Sequence, residues 1–102
     1  MAYETVVNCE KIASFLTKSS ISRVYGNDWY CARLEANYVS YSGDTIRVTA
    51  IIKITGSDAD NGEIGDVIDS FISERLDDFE LRHRGVLAKT SPNIDIVIKK
   101  IR

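Results

Sequence analysis

Between Ile64 and Phe79 the apolar residues Ile64, Val67, Ile68, Phe71, Ile72, Leu76 and Phe79 recur at intervals of three and four. That spacing gathers them on one stripe of an α-helix and conflicts with the period of two that a half-buried strand needs. A helix with such a stripe must bury it against another element, so the chain requires a layered fold. Asp60 is the expected N-cap, and Glu63 three residues later gives the pattern of a capping box. The positions off the stripe are equally constrained. From Ser57 to Glu80 nine acidic side chains face one basic residue, Arg75, for a net charge of −8. Residues 1–56 sum to +1 and residues 81–102 to +5, so the overall charge of −2 conceals a dipole in the order of the sequence.

The rest of the chain supplies the elements that this helix packs on. After a candidate N-cap at Asn8, the residues Cys9, Ile12, Ala13 and Leu16 form a shorter helical stripe that should end near Lys18. Residues 2–7 read either as an extended lead-in or as an early helical turn. Ile21 to Tyr25 is a short strand candidate closed by Gly26-Asn27-Asp28. Tyr30, Ala32, Leu34, Ala36 and Tyr38 alternate with polar residues, and so do Ile46, Val48, Ala50, Ile52 and Ile54, which predicts a hairpin of two half-buried strands. Its connection must contain an odd number of residues, because an even one sends the two apolar rows to opposite faces. A three-residue loop pairs Leu34 with Ile54, Ala36 with Ile52 and Glu35 with Lys53. Leu81 to Lys89 and Ile94 to Ile101 then read as two strands around the turn Thr90-Ser91-Pro92-Asn93.

The predicted architecture is one α+β domain. It is a two-layer sandwich of two helices on one face of a mainly antiparallel, four- to five-stranded sheet in the order α-β-β-β-α-β-β. With 44% apolar and 27% charged residues in 102, composition excludes disordered, coiled-coil and collagen-like classes and leaves enough core for one domain. No apolar run approaches the roughly 20 residues of a membrane span, and none near Met1 resembles a signal-peptide core, so a cytoplasmic setting without membrane contact is expected. Cys9 and Cys31 lack metal-type spacing and read as reduced and buried.

No residue pattern predicts catalysis, a cofactor or a metal. His83, the single histidine, has no Ser, Cys or Asp partner placed by sequence and reads as a surface residue. Cys9 on an apolar stripe is a poor nucleophile, because burial raises a thiol pKa. The segment Asp58-Ala59-Asp60-Asn61-Gly62-Glu63-Ile64 approximates the start of a calcium loop, but its glycine falls fifth instead of sixth, and an ordinary capped helix entry accounts for it.

The acidic helix is the candidate binding element. An ordinary exposed face mixes signs and forms i, i+4 pairs, whereas Glu63, Asp66, Asp69, Ser73, Glu74, Asp77 and Asp78 have only Arg75 nearby in sequence. Carboxylates one helical pitch apart, roughly 5 Å, approximate the spacing of phosphates along a nucleic-acid strand. The expected partner is therefore a basic protein surface, one that normally holds DNA or RNA, and in size and charge the chain resembles small inhibitors encoded by mobile elements and phages. Two other function classes compete. Arg82, His83, Arg84, Lys89, Lys99, Lys100 and Arg102 could bind nucleic acid directly through the C-terminal strands. The whole predicted order also resembles type III secretion chaperones, which implies an acidic homodimeric adaptor. The order from about Asn8 to Glu80 resembles double-stranded-RNA-binding domains, but those carry a Lys-rich motif at the start of the second helix. Asp58, Asp60, Glu63 and Asp66 stand there in this chain, which argues against RNA binding by that route.

Overall fold

The computed structural model describes residues 3–18, 28–40 and 43–102. The elements are α1 (Tyr3–Lys18), β1 (Trp29–Val39), β2 (Thr45–Ile54), α2 (Asn61–Arg82), α3 (Val86–Thr90) and β3 (Asn93–Ile101). They form an α+β fold in which the long helices pack against a three-stranded sheet of order β1-β2-β3. None of the described helices is long and apolar enough to cross a membrane.

Both predicted helical stripes point inward. Cys9, Ile12, Ala13 and Leu16 of α1 are buried with Ile64, Ile68, Ile72 and Phe79 of α2, against Leu34, Ile46, Val48, Ala50 and Ile52 of the sheet. Asp60 caps α2 by accepting from the Gly62 N–H at 2.8 Å. Residues 3–7 are helical, so Asn8 lies inside α1 instead of capping it, and its amide donates to the Thr90 hydroxyl at 3.2 Å.

The hairpin has the expected pair of strands and an odd connection, but a different register. β1 and β2 run antiparallel with Tyr38 opposite Ile46, Ala36 opposite Val48 and Leu34 opposite Ala50. Residues 40–44 connect them, so the three-residue loop and the Leu34–Ile54, Ala36–Ile52 and Glu35–Lys53 pairings are corrected. The Tyr38 hydroxyl donates to Asp44 at 2.8 Å and Gly43 takes φ 111°, which together hold the longer connection. The slip of four residues is even, so each face keeps its residues.

A bulge between Cys31 and Arg33 makes a second correction. Ala32 has no partner in the register, and the face that β1 presents inverts there. Trp29 and Cys31 are buried, while Tyr30 is 41% exposed and Ala32 is exposed, so the core-facing row of β1 is Trp29, Cys31, Leu34 and Ala36 instead of the expected row that starts Tyr30, Ala32.

Among the described residues the sheet has three strands instead of four or five, and the predicted strand Leu81–Lys89 is helix and turn. α2 runs on to Arg82, Gly85 turns the chain at φ 85°, and α3 follows. The turn is held by the Gly85 N–H donating to Glu80 at 2.7 Å and the His83 N–H donating to the Phe79 carbonyl at 2.8 Å. With no strand there, α2 and α3 together carry the chain over the sheet, and β3 lies parallel to β2. The predicted strand Ile21–Tyr25 lies outside the described residues.

Candidate protein-binding surface

The side of α2 opposite its apolar stripe carries Asp66, Asp69, Ser70, Ser73, Glu74 and Asp77, all exposed. Among the described residues none of these carboxylates accepts a hydrogen bond or joins an ion pair. The other acidic residues of the segment have work within the fold. Asp60 caps the helix. Glu63 accepts from the indole N–H of the buried Trp29 at 3.2 Å, so it satisfies a core donor instead of completing a capping box. Asp78 accepts from Arg75 at 2.6 Å, and the Arg75 guanidinium lies 5.5 Å from the centre of the Phe71 ring. Glu80 holds the turn into α3. The structure therefore leaves Asp66, Asp69, Ser73, Glu74 and Asp77 as an open ridge, and it ties Glu63 and Asp78 down.

Among the described residues the other ion pairs lie away from this ridge. Arg33 pairs with Glu35 at 2.8 Å, Arg47 with Asp95 at 3.2 Å and Lys89 with Glu4 at 2.9 Å. Arg82 lies 5.6 Å from the centre of the Phe15 ring. Arg82 is the last residue of α2, but of these four ion pairs only Arg75–Asp78 touches that helix. Carboxylates on adjacent turns with no ion-pair partner among the described residues produce a negative potential on that side of the helix, which raises the encounter rate with a basic surface and repels a phosphate backbone.

The candidate catalytic groups have structural settings. The His83 ring rests 4.7 Å from that of Phe79 at the end of α2. Burial pushes the Cys31 thiol up to about 11, and burial with the nearby Asp44 charge also raises that of Cys9, so neither is a thiolate at neutral pH. Among the described residues no group of three or more His, Cys, Asp or Glu side chains is gathered so as to hold a metal ion.

Sequence reasoning missed the outer face of the sheet. There Tyr30, Arg33, Ile51, Lys53, Lys99 and Ile101 share adjacent register positions on the three strands. The bulge at Ala32 is what turns Tyr30 and Arg33 outward together, and the only trace of it in the sequence is the run Trp29-Tyr30-Cys31, in which either parity could face the core.

No family model, no curated protein and no solved structure matches the chain.

Proposed function

We propose that this chain is a non-enzymatic binding protein whose α2 ridge docks on a basic patch of another protein, one that ordinarily holds nucleic acid, and excludes the nucleic acid from it. The observation that carries this reading is the set of exposed carboxylates at Asp66, Asp69, Glu74 and Asp77, which have no cationic partner among the described residues. Such a ridge releases counterions from the basic groove as a phosphate backbone does, so binding weakens steeply with salt. A cytoplasmic setting, in which Cys9 and Cys31 stay reduced, goes with this reading.

The test is a pull-down from the native host washed at graded salt, with Asp66, Asp69 and Asp77 replaced by Asn and Glu74 by Gln in a parallel bait. The wild-type chain should retain a basic protein that added DNA or RNA displaces, and the variant should lose it. Retention of the same partner by the variant at unchanged affinity overturns the proposal. A second reading, direct nucleic-acid binding, draws on Tyr30, Arg33, Lys53 and Lys99 lying together on the outer sheet face. Titration of a labelled single-stranded oligonucleotide separates the two, because saturable binding that the four neutral substitutions strengthen favours the sheet face over the ridge.

A further inference from the structure

The two edges of the sheet are treated differently. On β1 the Ala36 N–H, which points away from β2, donates to the Thr17 hydroxyl of α1 at 3.0 Å. On β3 no described residue pairs with the outer edge. The Asn93 N–H donates toward β2, to the Asp44 carbonyl at 2.9 Å. By the alternation of a strand, Asp95, Val97, Lys99 and Ile101 aim their backbone groups the same way, and Ile94, Ile96, Ile98 and Lys100 present theirs to the outer edge. The side chains of Ile94, Ile96 and Ile98 point to the core face and are only half-buried, while Val97 on the outer face is 38% exposed. An edge that no described residue covers, flanked by half-covered isoleucines, is a template for another strand.

We propose that the occupant of this edge is β3 of a second copy of the chain, antiparallel and centred on Val97, so that two three-stranded sheets join into one of six strands. The nine residues of β3 have Val97 at their midpoint, so this register overlaps the full strand. It places the two Val97 side chains against each other at a non-hydrogen-bonded position. It makes hydrogen-bonded pairs of Ile96 with Ile98 of the second copy and of Ile94 with Lys100 of the second copy, which are the residues whose backbone groups face outward. On the outer face it sets Asp95 opposite Lys99 of the second copy, twice by symmetry.

The neighbouring registers lack this match. Centring on Ile96 puts Asp95 opposite Val97 and Asn93 opposite Lys99, while centring on Ile98 puts Asp95 opposite Ile101 and Lys99 opposite Val97. A lysine on an edge strand often serves to block pairing, but here Lys99 meets Asp95, which Arg47 of its own chain also contacts at 3.2 Å, while Lys100 lies opposite Ile94. The two-fold axis runs perpendicular to the sheet, so both acidic ridges fall on the same side of the dimer. The pairing is nevertheless independent of the function proposed for α2.

The test is molar mass by light scattering across a dilution series, with far-UV circular dichroism to show that each variant is folded. The wild-type chain should give a species of twice 11.4 kDa. Lys99→Asp, which sets Asp against Asp95 twice, should raise the dimer dissociation constant about tenfold or more, and the double exchange Asp95→Lys with Lys99→Asp, made together with Arg47→Ala because Arg47 contacts Asp95 within the chain, should restore it. A wild-type chain that is monomeric at roughly 100 μM, or a dimer that Lys99→Asp leaves unchanged, overturns the proposal.

Discussion

Gly56 shows how a single missing methyl group can set a junction. The Thr55 and Gly56 N–H groups both donate to the Asp28 carbonyl, at 2.8 and 3.0 Å, tying the residue before β1 to the exit of β2. A Cβ on residue 56 would overlap the Asp28 carboxylate and approach its Cβ to 2.7 Å. Gly56→Ala should therefore cost about 1–3 kcal/mol, read as a lower urea midpoint from the emission of Trp29, the only tryptophan. Cys31 adds a pH dependence. Its folded pKa, about 11, stands above the ordinary thiol value of 9.0, so between the two the folded chain holds a proton that the unfolded chain has lost. The associated stability is complete below about pH 9 and is lost as pH rises through about 11, on the order of 2 kcal/mol. Tyr38 acts in the same direction, since ionisation removes the proton that it donates to Asp44. Urea melts at increasing alkaline pH should show the decline, and Cys31→Ala should flatten it at some cost to stability near neutral pH.

At the scale of the element, α2 is a helix whose two faces obey different requirements. Its buried face was legible from spacing alone, because Ile64, Ile68, Ile72 and Phe79 repeat at the helical period and only one arrangement buries them together. Its exposed face works against its own stability. Glu74 lies three residues before Asp77 and four before Asp78, and like charges at those separations repel. Asp77→Asn should stabilise the fold by about 0.3 kcal/mol while weakening capture of a basic partner, measured by thermal melting beside the pull-down. A gain in stability with no change in capture would mean that Asp77 is not part of the contact. β1 shows the opposite case. Its alternation identified a strand, but the bulge at Ala32 reversed the faces of Trp29, Tyr30 and Cys31. Nothing local marks that reversal, because all three side chains are large enough to serve a core.

Over the whole molecule, the charge separation written along the chain becomes a separation in space, with the open carboxylates of α2 on one side and Arg33, Lys53 and Lys99 at positions on the far face of the sheet. Capture of a basic partner by α2 should fall with ionic strength over the range in which the Debye length shrinks from about 10 Å to a few Å. By itself, the sequence determined which residues face the core in α1, β2 and α2, the odd length of the hairpin connection and the acidity of the exposed α2 ridge, because period and charge are local properties. Only the tertiary structure decided that Leu81–Lys89 is helix and turn, that β3 runs parallel to β2, that the hairpin slips by four residues, and that Glu63 serves Trp29. Each of those depends on a partner distant in the chain, and a periodic pattern says which side of an element must be covered without saying what covers it.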